Sequence, residues 1–231
     1  MSVVICDVGS GFGVLAREVG SLGYDRVVFL VDPGLLGDLP ELGGVGVDVV
    51  WGVLLEPGSV GELKGLVGRC RDLVDFVVVR SLGVGEVDRA VVLDGRVDLL
   101  LVGGGGVVDY VLARDAGECG VGVGFDLKSL LDSRGYRRSL LVRRFRKDVE
   151  VLGRYGVDVV PCLLAGDRFD VKAARDFRSL LGVFGFDGGL FDSSREFILE
   201  RVEFNREVGG SGFVEPGVEV VDDGDGGVGD V

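Results

Sequence analysis

Short apolar runs alternate with longer amphipathic stretches along most of the chain. The runs Val3–Asp7, Arg26–Val31, Asp48–Leu54, Asp75–Arg80, Val97–Val102, Gly120–Phe125 and Val157–Leu163 are nearly continuous in Val, Leu and Phe. Parallel strands covered on both faces read this way, because neither face has to be polar. The spacing between them predicts helices over Gly13–Leu22, Val60–Asp72, Gly85–Val92, Val107–Cys119, Tyr136–Tyr155 and Val171–Phe184, with another around Ser194–Asn205. Repeated strand–helix alternation implies an α/β protein, either a closed TIM-barrel-like fold or an open doubly wound sheet. A single domain over residues 1–221 accommodates it. The last ten residues, DDGDGGVGDV, are acidic and glycine-rich and are expected to be disordered, having nothing to pack.

Composition narrows the classes. Hydrophobic residues make up 47% of the 231, enough for a buried core. No apolar run approaches the roughly 18 residues of a membrane span, so no membrane association is expected. The start, MSVVICDVGSG, lacks a basic segment before its apolar stretch and reads as a first strand, so no signal peptide is implied. Cys6, Cys70, Cys119 and Cys162 are scattered, without a CxxC pair, each in or beside an apolar run. Buried reduced thiols of a cytoplasmic protein are the expectation. The chain contains no histidine. Ser-His-Asp and Cys-His catalysis are therefore excluded, as is any zinc site that needs imidazole.

Charge supplies the sharpest local feature. The chain carries a formal net charge of −13, yet Arg134–Lys147 reads RGYRRSLLVRRFRK, seven cations with no acid among them. A surface this acidic repels polyanions, so a concentrated basic segment is where a phosphate backbone would be accepted. The alternative is a solvated helix face balanced by Asp132 and Asp148. At 100° per residue, Leu141, Val142, Phe145, Val149 and Leu152 share one arc, with Arg137, Arg143, Arg144, Arg146 and Lys147 opposite. Arg138 falls within the apolar arc, where it could cap or snorkel.

Glycine-rich turns offer competing chemistry. VVICDVGSGFGVLA places Gly9, Gly11 and Gly13 between a strand and a helix, and Asp32 ends the second strand. This resembles the first motif of class I S-adenosylmethionine-dependent methyltransferases, with glycines for close cofactor approach and an acid for a ribose. Three glycines at such spacing also arise by chance when 42 of 231 residues are glycine, and the usual Asn/Asp-Pro-Pro motif is absent after Val79. LVGGGGVVD (Leu101–Asp109) lacks a lysine in P-loop spacing and reads as a strand-to-helix loop. Asp7, Asp32, Asp126 and Asp167 lie near strand C-termini, where in a barrel they would converge on the active-site face and could hold a metal, although loop capping and solvation explain most such aspartates.

From Asp109 onward the order of features resembles archaeal ribonuclease P protein component 3, a family related to the thirty-kilodalton subunit of the eukaryotic nuclear enzyme. The matching features are the helix start Asp109–Ala113, the strand Val121–Phe125, the turn Leu130–Arg137 and the basic helix Arg143–Lys147. The strand Val157–Cys162 and the segment Ala165–Gly182 follow in order. The resemblance implies a barrel related to the PHP phosphoesterases without their metal-binding histidines. It also implies a protein that supports RNA-catalysed removal of 5′ leaders from precursor tRNA. Its partners would be the ribonuclease P RNA, another small protein subunit, and precursor tRNA through the holoenzyme. Magnesium would serve the RNA, with no cofactor or metal on this chain and no catalytic residue. The nominated contacts are Arg80, Lys128, Arg134, Arg137, Arg138, Arg143, Arg144, Arg146 and Lys147. Two departures stand out. Arg80-Ser81-Leu82-Gly83 replaces the family's His-Gly-Gly-Asp stretch, and Val102-Gly103-Gly104 replaces Ser-His-Pro.

Overall fold

The computed structural model describes residues 3–7, 9, 11–103, 106–186, 188–208, 213–215 and 218–219. The acidic segment 222–231 lies outside them, as do Gly104 and Gly105 of the glycine-rich loop. Seven strands alternate with helices: β1 Val3–Asp7, α1 Phe12–Ser21, β2 Arg26–Val31, β3 Asp48–Leu55, α2 Val60–Cys70, β4 Phe76–Arg80, α3 Gly85–Val92 and β5 Leu99–Val102. There follow α4 Tyr110–Cys119, β6 Gly122–Asp126, α5 Leu127–Asp132, α6 Gly135–Arg154, β7 Val159–Cys162, α7 Ala174–Gly182 and α8 Gly188–Val208. A short antiparallel pair, β8 Phe213–Glu215 and β9 Val218–Glu219, ends the described chain. Periodicity does not predict the short helix α5 or a 3-10 turn at Pro33–Asp38, both being too short to show one.

Every strand of the main sheet is parallel to its neighbour, in the spatial order β1-β2-β3-β4-β5-β6-β7. The sheet closes on itself just past β7. The Leu164 amide donates to the Ile5 carbonyl at 2.9 Å, and the Asp7 amide to that of Ala165 at 3.2 Å. Closure in sequence order settles the alternative left open by periodicity, since a doubly wound sheet would reverse strand order partway. The fold is a TIM-barrel-like α/β barrel with seven strands.

Closure also explains the continuous apolar runs. Ile5, Val28, Leu30, Val50, Phe76, Val78, Leu99, Leu101, Val160 and Cys162 pack in one cluster with Phe197, Ile198 and Val202 of α8. Their strand neighbours Val4, Val27, Phe29, Val77, Val79, Leu100, Val123 and Phe125 pack in a second cluster that includes the surrounding helices. Alternate residues thus serve opposite faces, and both faces are buried. Helix α8 plugs the end where the strands begin. A Cβ at Gly122 would lie 2.6 Å from the Phe197 ring, so only glycine lets the ring seat there.

Beneath that plug lies a buried polar junction. Asp98, 1% exposed, accepts from the Val77 amide and from Arg71, both at 2.7 Å, and from Asn205 at 3.1 Å. Arg201 on α8 pairs with it at 3.3 Å. The cysteine expectation needs one correction: Cys6, Cys70 and Cys162 are buried and free, but Cys119 is exposed at the last position of α4. Its apolar neighbours belong to the turn that leads into β6, while its own side chain faces outward.

Candidate functional site

The strands end on the opposite face, and their last side chains converge there. Arg80, at the end of β4, sits in the mouth with its side chain 25% exposed. It pairs with Glu56 at 2.8 Å, Asp126 at 3.3 Å and Asp7 at 3.6 Å, carboxylates that follow or end β3, β6 and β1. Burial raises the Asp7 carboxyl above its ordinary range against the opposing pull of Arg80, and Glu56 and Asp126 raise it further. Asp126 also accepts from the amide and hydroxyl of Ser129, which caps α5. One guanidinium among three carboxylates leaves the mouth electronegative, so Arg80 is occupied internally. Among the described residues, no three carboxylate or thiol side chains assemble as a metal-ligand group.

Lys128 lies beside the mouth and bonds Asp170 at 2.7 Å. That contact raises the lysine's pKa and lowers the aspartate's, as expected of a charge-assisted hydrogen bond. The loop after β7 is tied at several further points. Asp170 accepts from the Gly166 amide, and Asp167 accepts from the amides of Phe169 and Asp170.

The basic segment forms the first two-thirds of α6. As the periodicity predicts, Leu141, Phe145 and Leu152 are buried, with Val142 and Val149 partly so. The cations divide into two groups, and of these the sequence sets apart only Arg138, whose place in the apolar arc suits it to capping. Arg138 donates to the Leu131 carbonyl at 2.9 Å, capping the end of α5. Arg146 donates twice to the Val183 carbonyl, at 3.0 and 2.7 Å, and so ties α6 to the end of α7. Arg144 reaches the buried Asp148 at 3.6 Å. Burial pushes the Asp148 carboxyl up to about 6, with Arg144 and Lys147 opposing the rise. Arg134, Arg137, Arg143 and Lys147 are exposed, and no ion-pair partner is found for them among the described residues. Successive steps of three or four residues place Tyr136, Leu140, Arg143 and Lys147 on one stripe. Tyr136 is 77% exposed at the head of that stripe.

The methyltransferase alternative is overturned by the topology and by the residues nominated for it. Asp32 accepts from the Gly34 amide at 2.8 Å and so caps its own 3-10 turn. Gly11 takes a left-handed φ of 75° as the first cap of α1, and Phe12 then turns inward against Phe29 and Trp51. Among the described residues of this loop, Gly11 serves to start α1. Asp167 likewise caps its loop, while Asp7 and Asp126 meet at Arg80. Sequence reasoning does not find Glu56 and Asp170 as partners of Arg80 and Lys128, because each pair joins distant strands or loops.

No family model matches the chain. The chain is 30% identical over 139 residues to ribonuclease P protein component 3 of Methanosarcina acetivorans, covering 59% of this chain and 58% of that protein. It is 32% identical over 123 residues to the protein of the same name from Haloarcula marismortui, covering 52% and 51%. The matches thus span a little over half the length of these curated relatives. Among solved structures, a chain from an archaeal ribonuclease P bound to mature tRNA superposes with a TM-score of 0.79 at 21% identity. That superposition covers 96% of this chain and 99% of the other. The resemblance to archaeal ribonuclease P protein component 3, strongest in Asp109–Gly182, is therefore matched by curated relatives of that name, while the structural match shows the shared barrel fold.

Proposed function

We propose that this chain is a protein subunit of ribonuclease P, supporting removal of 5′ leaders from precursor tRNA. The single observation that carries the reading is its 30% identity over 139 residues to ribonuclease P protein component 3 of Methanosarcina acetivorans. The site geometry supports a non-catalytic role. The barrel mouth, where enzymes of this architecture hold their reacting groups, is filled by a guanidinium paired to three carboxylates. In this reading catalysis belongs to the RNA subunit with its magnesium, and the chain contributes binding surface in the cytoplasm.

The cations that α6 leaves unpaired give that surface a place. Arg134, Arg137, Arg143 and Lys147 would meet phosphates, which position an RNA without reading its sequence. The internally bonded Arg138, Arg144 and Arg146 would hold the helix in place. Lys128 and Arg80 would contribute by shaping the mouth rather than by meeting RNA directly. A second small protein subunit would cover another face. Reconstitution with the cognate RNA and remaining subunits tests the proposal. Adding the chain is expected to raise precursor cleavage; an unchanged rate at saturating chain would overturn it.

A further inference from the structure

The loop between β7 and α7 presents an arginine and an aromatic that neither the core nor the barrel mouth uses. Phe169 is 74% exposed, and the Arg168 guanidinium lies over its ring at 4.7 Å from the centroid. Single exposed apolar residues are ordinary on protein surfaces. This one differs in how firmly it is held. Its amide donates to Asp167 at 2.7 Å, and its carbonyl accepts from Lys172 at 3.1 Å. Asp170 next to it is fixed by Lys128 and by the Gly166 amide. On the far side, the Tyr24 hydroxyl donates to the Lys172 carbonyl at 3.0 Å. The loop leaves the barrel through Leu164, a buried non-glycine residue with φ of 51°, a left-handed conformation that only surrounding structure can enforce.

The loop's own charges balance, Asp167 and Asp170 against Arg168 and Lys172, and Lys128 adds one cation beside them. Asp170 is neutralised by Lys128, and one oxygen of Asp167 is turned to its own loop amides. Arg168 and Lys172 remain as cations on either side of the ring in sequence. The chain has only four lysines, and two of them, Lys128 and Lys172, bond this loop. An exposed ring, a guanidinium stacked upon it and flanking cations are what proteins use to hold unpaired bases, since every base offers a π face.

We propose that Phe169, backed by Arg168, is a stacking platform for an unpaired nucleobase of single-stranded RNA. The proposal rests on the ribonuclease P reading for the biological source of that RNA, but its physical content is testable without the holoenzyme. The probe is a fluorescently labelled twelve-nucleotide oligoadenylate, titrated against the full chain and followed by anisotropy. Phe169→Ala is expected to weaken binding by about fivefold or more, the range for loss of one base–aromatic stack. It should leave the salt dependence unchanged, because stacking releases no counterions. Arg168→Ala should weaken binding and also lower the salt slope.

Phe169→Trp adds a direct readout. Its extra emission over the parent chain should be quenched by unlabelled oligoadenylate, as a stacked indole is. Phe169→Leu keeps apolar area without a π face and should bind as weakly as Phe169→Ala. Equal binding by Phe169→Ala and the parent chain, or recovery in Phe169→Leu, would overturn the platform; the latter outcome would mark a protein contact instead. Either result leaves the ribonuclease P reading intact if the parent chain still stimulates precursor cleavage. Failure of the parent chain in reconstitution, with quenching in Phe169→Trp retained, would overturn that reading and keep the platform.

Discussion

Removing the charge from Arg137, Arg143 and Lys147 together separates binding from folding on α6. All three are exposed, and no ion-pair partner is found for them among the described residues, so truncation to alanine breaks no internal ion pair and removes only the weaker pull of Lys147 on Asp148. Surface changes of this kind stay within about 0.5 kcal/mol each. For a chain of this size, 1 kcal/mol moves the melting temperature by roughly 2–4 °C, so the triple variant should melt within a few degrees of the parent. Every phosphate that the protein no longer neutralises lowers the slope of log affinity against log salt by about 0.7 for single strands and 0.9 for duplex. Three such phosphates therefore flatten the slope by about 2 to 3. Between 50 and 200 mM salt, the parent chain should lose about 15- to 60-fold more affinity for RNA than the variant. Filter binding of the cognate RNA across that salt range provides the measurement.

The paired variant Arg144→Ala with Arg146→Ala supplies the opposite pattern. It strips Asp148 of its nearest cation and removes both bonds to the Val183 carbonyl, so it should lower stability while leaving the salt slope nearly unchanged. If the triple variant keeps the parent slope, or if the paired variant flattens it while melting normally, the division of α6 into binding and bracing cations is wrong. A change in all of these cations at once would confuse the two roles.

Three further outcomes follow from the buried polar groups and the plug. Asp98→Ala removes the acceptor shared by Arg71, Arg201, Asn205 and the Val77 amide, and should cost about 3–5 kcal/mol by urea denaturation; a loss under about 1 kcal/mol would refute the junction's role. Asp148 has a raised carboxyl pKa of about 6, so its contribution is favourable while protonated and is lost as pH rises through that value. Asp148→Asn should accordingly be more stable than the parent by about 1–3 kcal/mol at pH 7.5, with the advantage fading toward pH 4; a pH-independent difference would contradict this. Gly122→Ala should destabilise by about 1–3 kcal/mol, and less in a Phe197→Leu background, because the two share one space. Additive effects in that double-mutant cycle would remove the clash as the cause.

Some of this is legible in the chain because local physics decides it. Strands buried on both faces are apolar along most of their length, and that alone locates all seven to within two or three residues. The arc of Leu141, Phe145 and Leu152 is likewise visible, since helical period depends on nothing outside α6. The cationic character of the opposite face follows from the same arithmetic. Helix α5 escapes such a reading because Leu127–Asp132 is too short to display a period, and its cap comes from Asp126 at the end of a strand.

Pairing across the fold is hidden for a different reason: it depends on which strand ends are neighbours. Arg80 becomes an internal cation only because β1, β3 and β6 deliver Asp7, Glu56 and Asp126 around it. Arg146 becomes a brace because α7 ends beside α6. The sequence by itself determined the seven barrel strands and the longer helices, the amphipathic faces and the exclusion of histidine chemistry, all of which rest on residue type and short-range spacing. Periodicity left barrel and open sheet alike possible; the barrel that the family resemblance implied is closed in the tertiary structure by bonds joining Ile5 to Leu164 and Asp7 to Ala165 across almost 160 residues of chain. The tertiary structure also decided which cations remain free to meet a partner, because an arginine's availability is set by the carboxylates and carbonyls that folding brings within its reach.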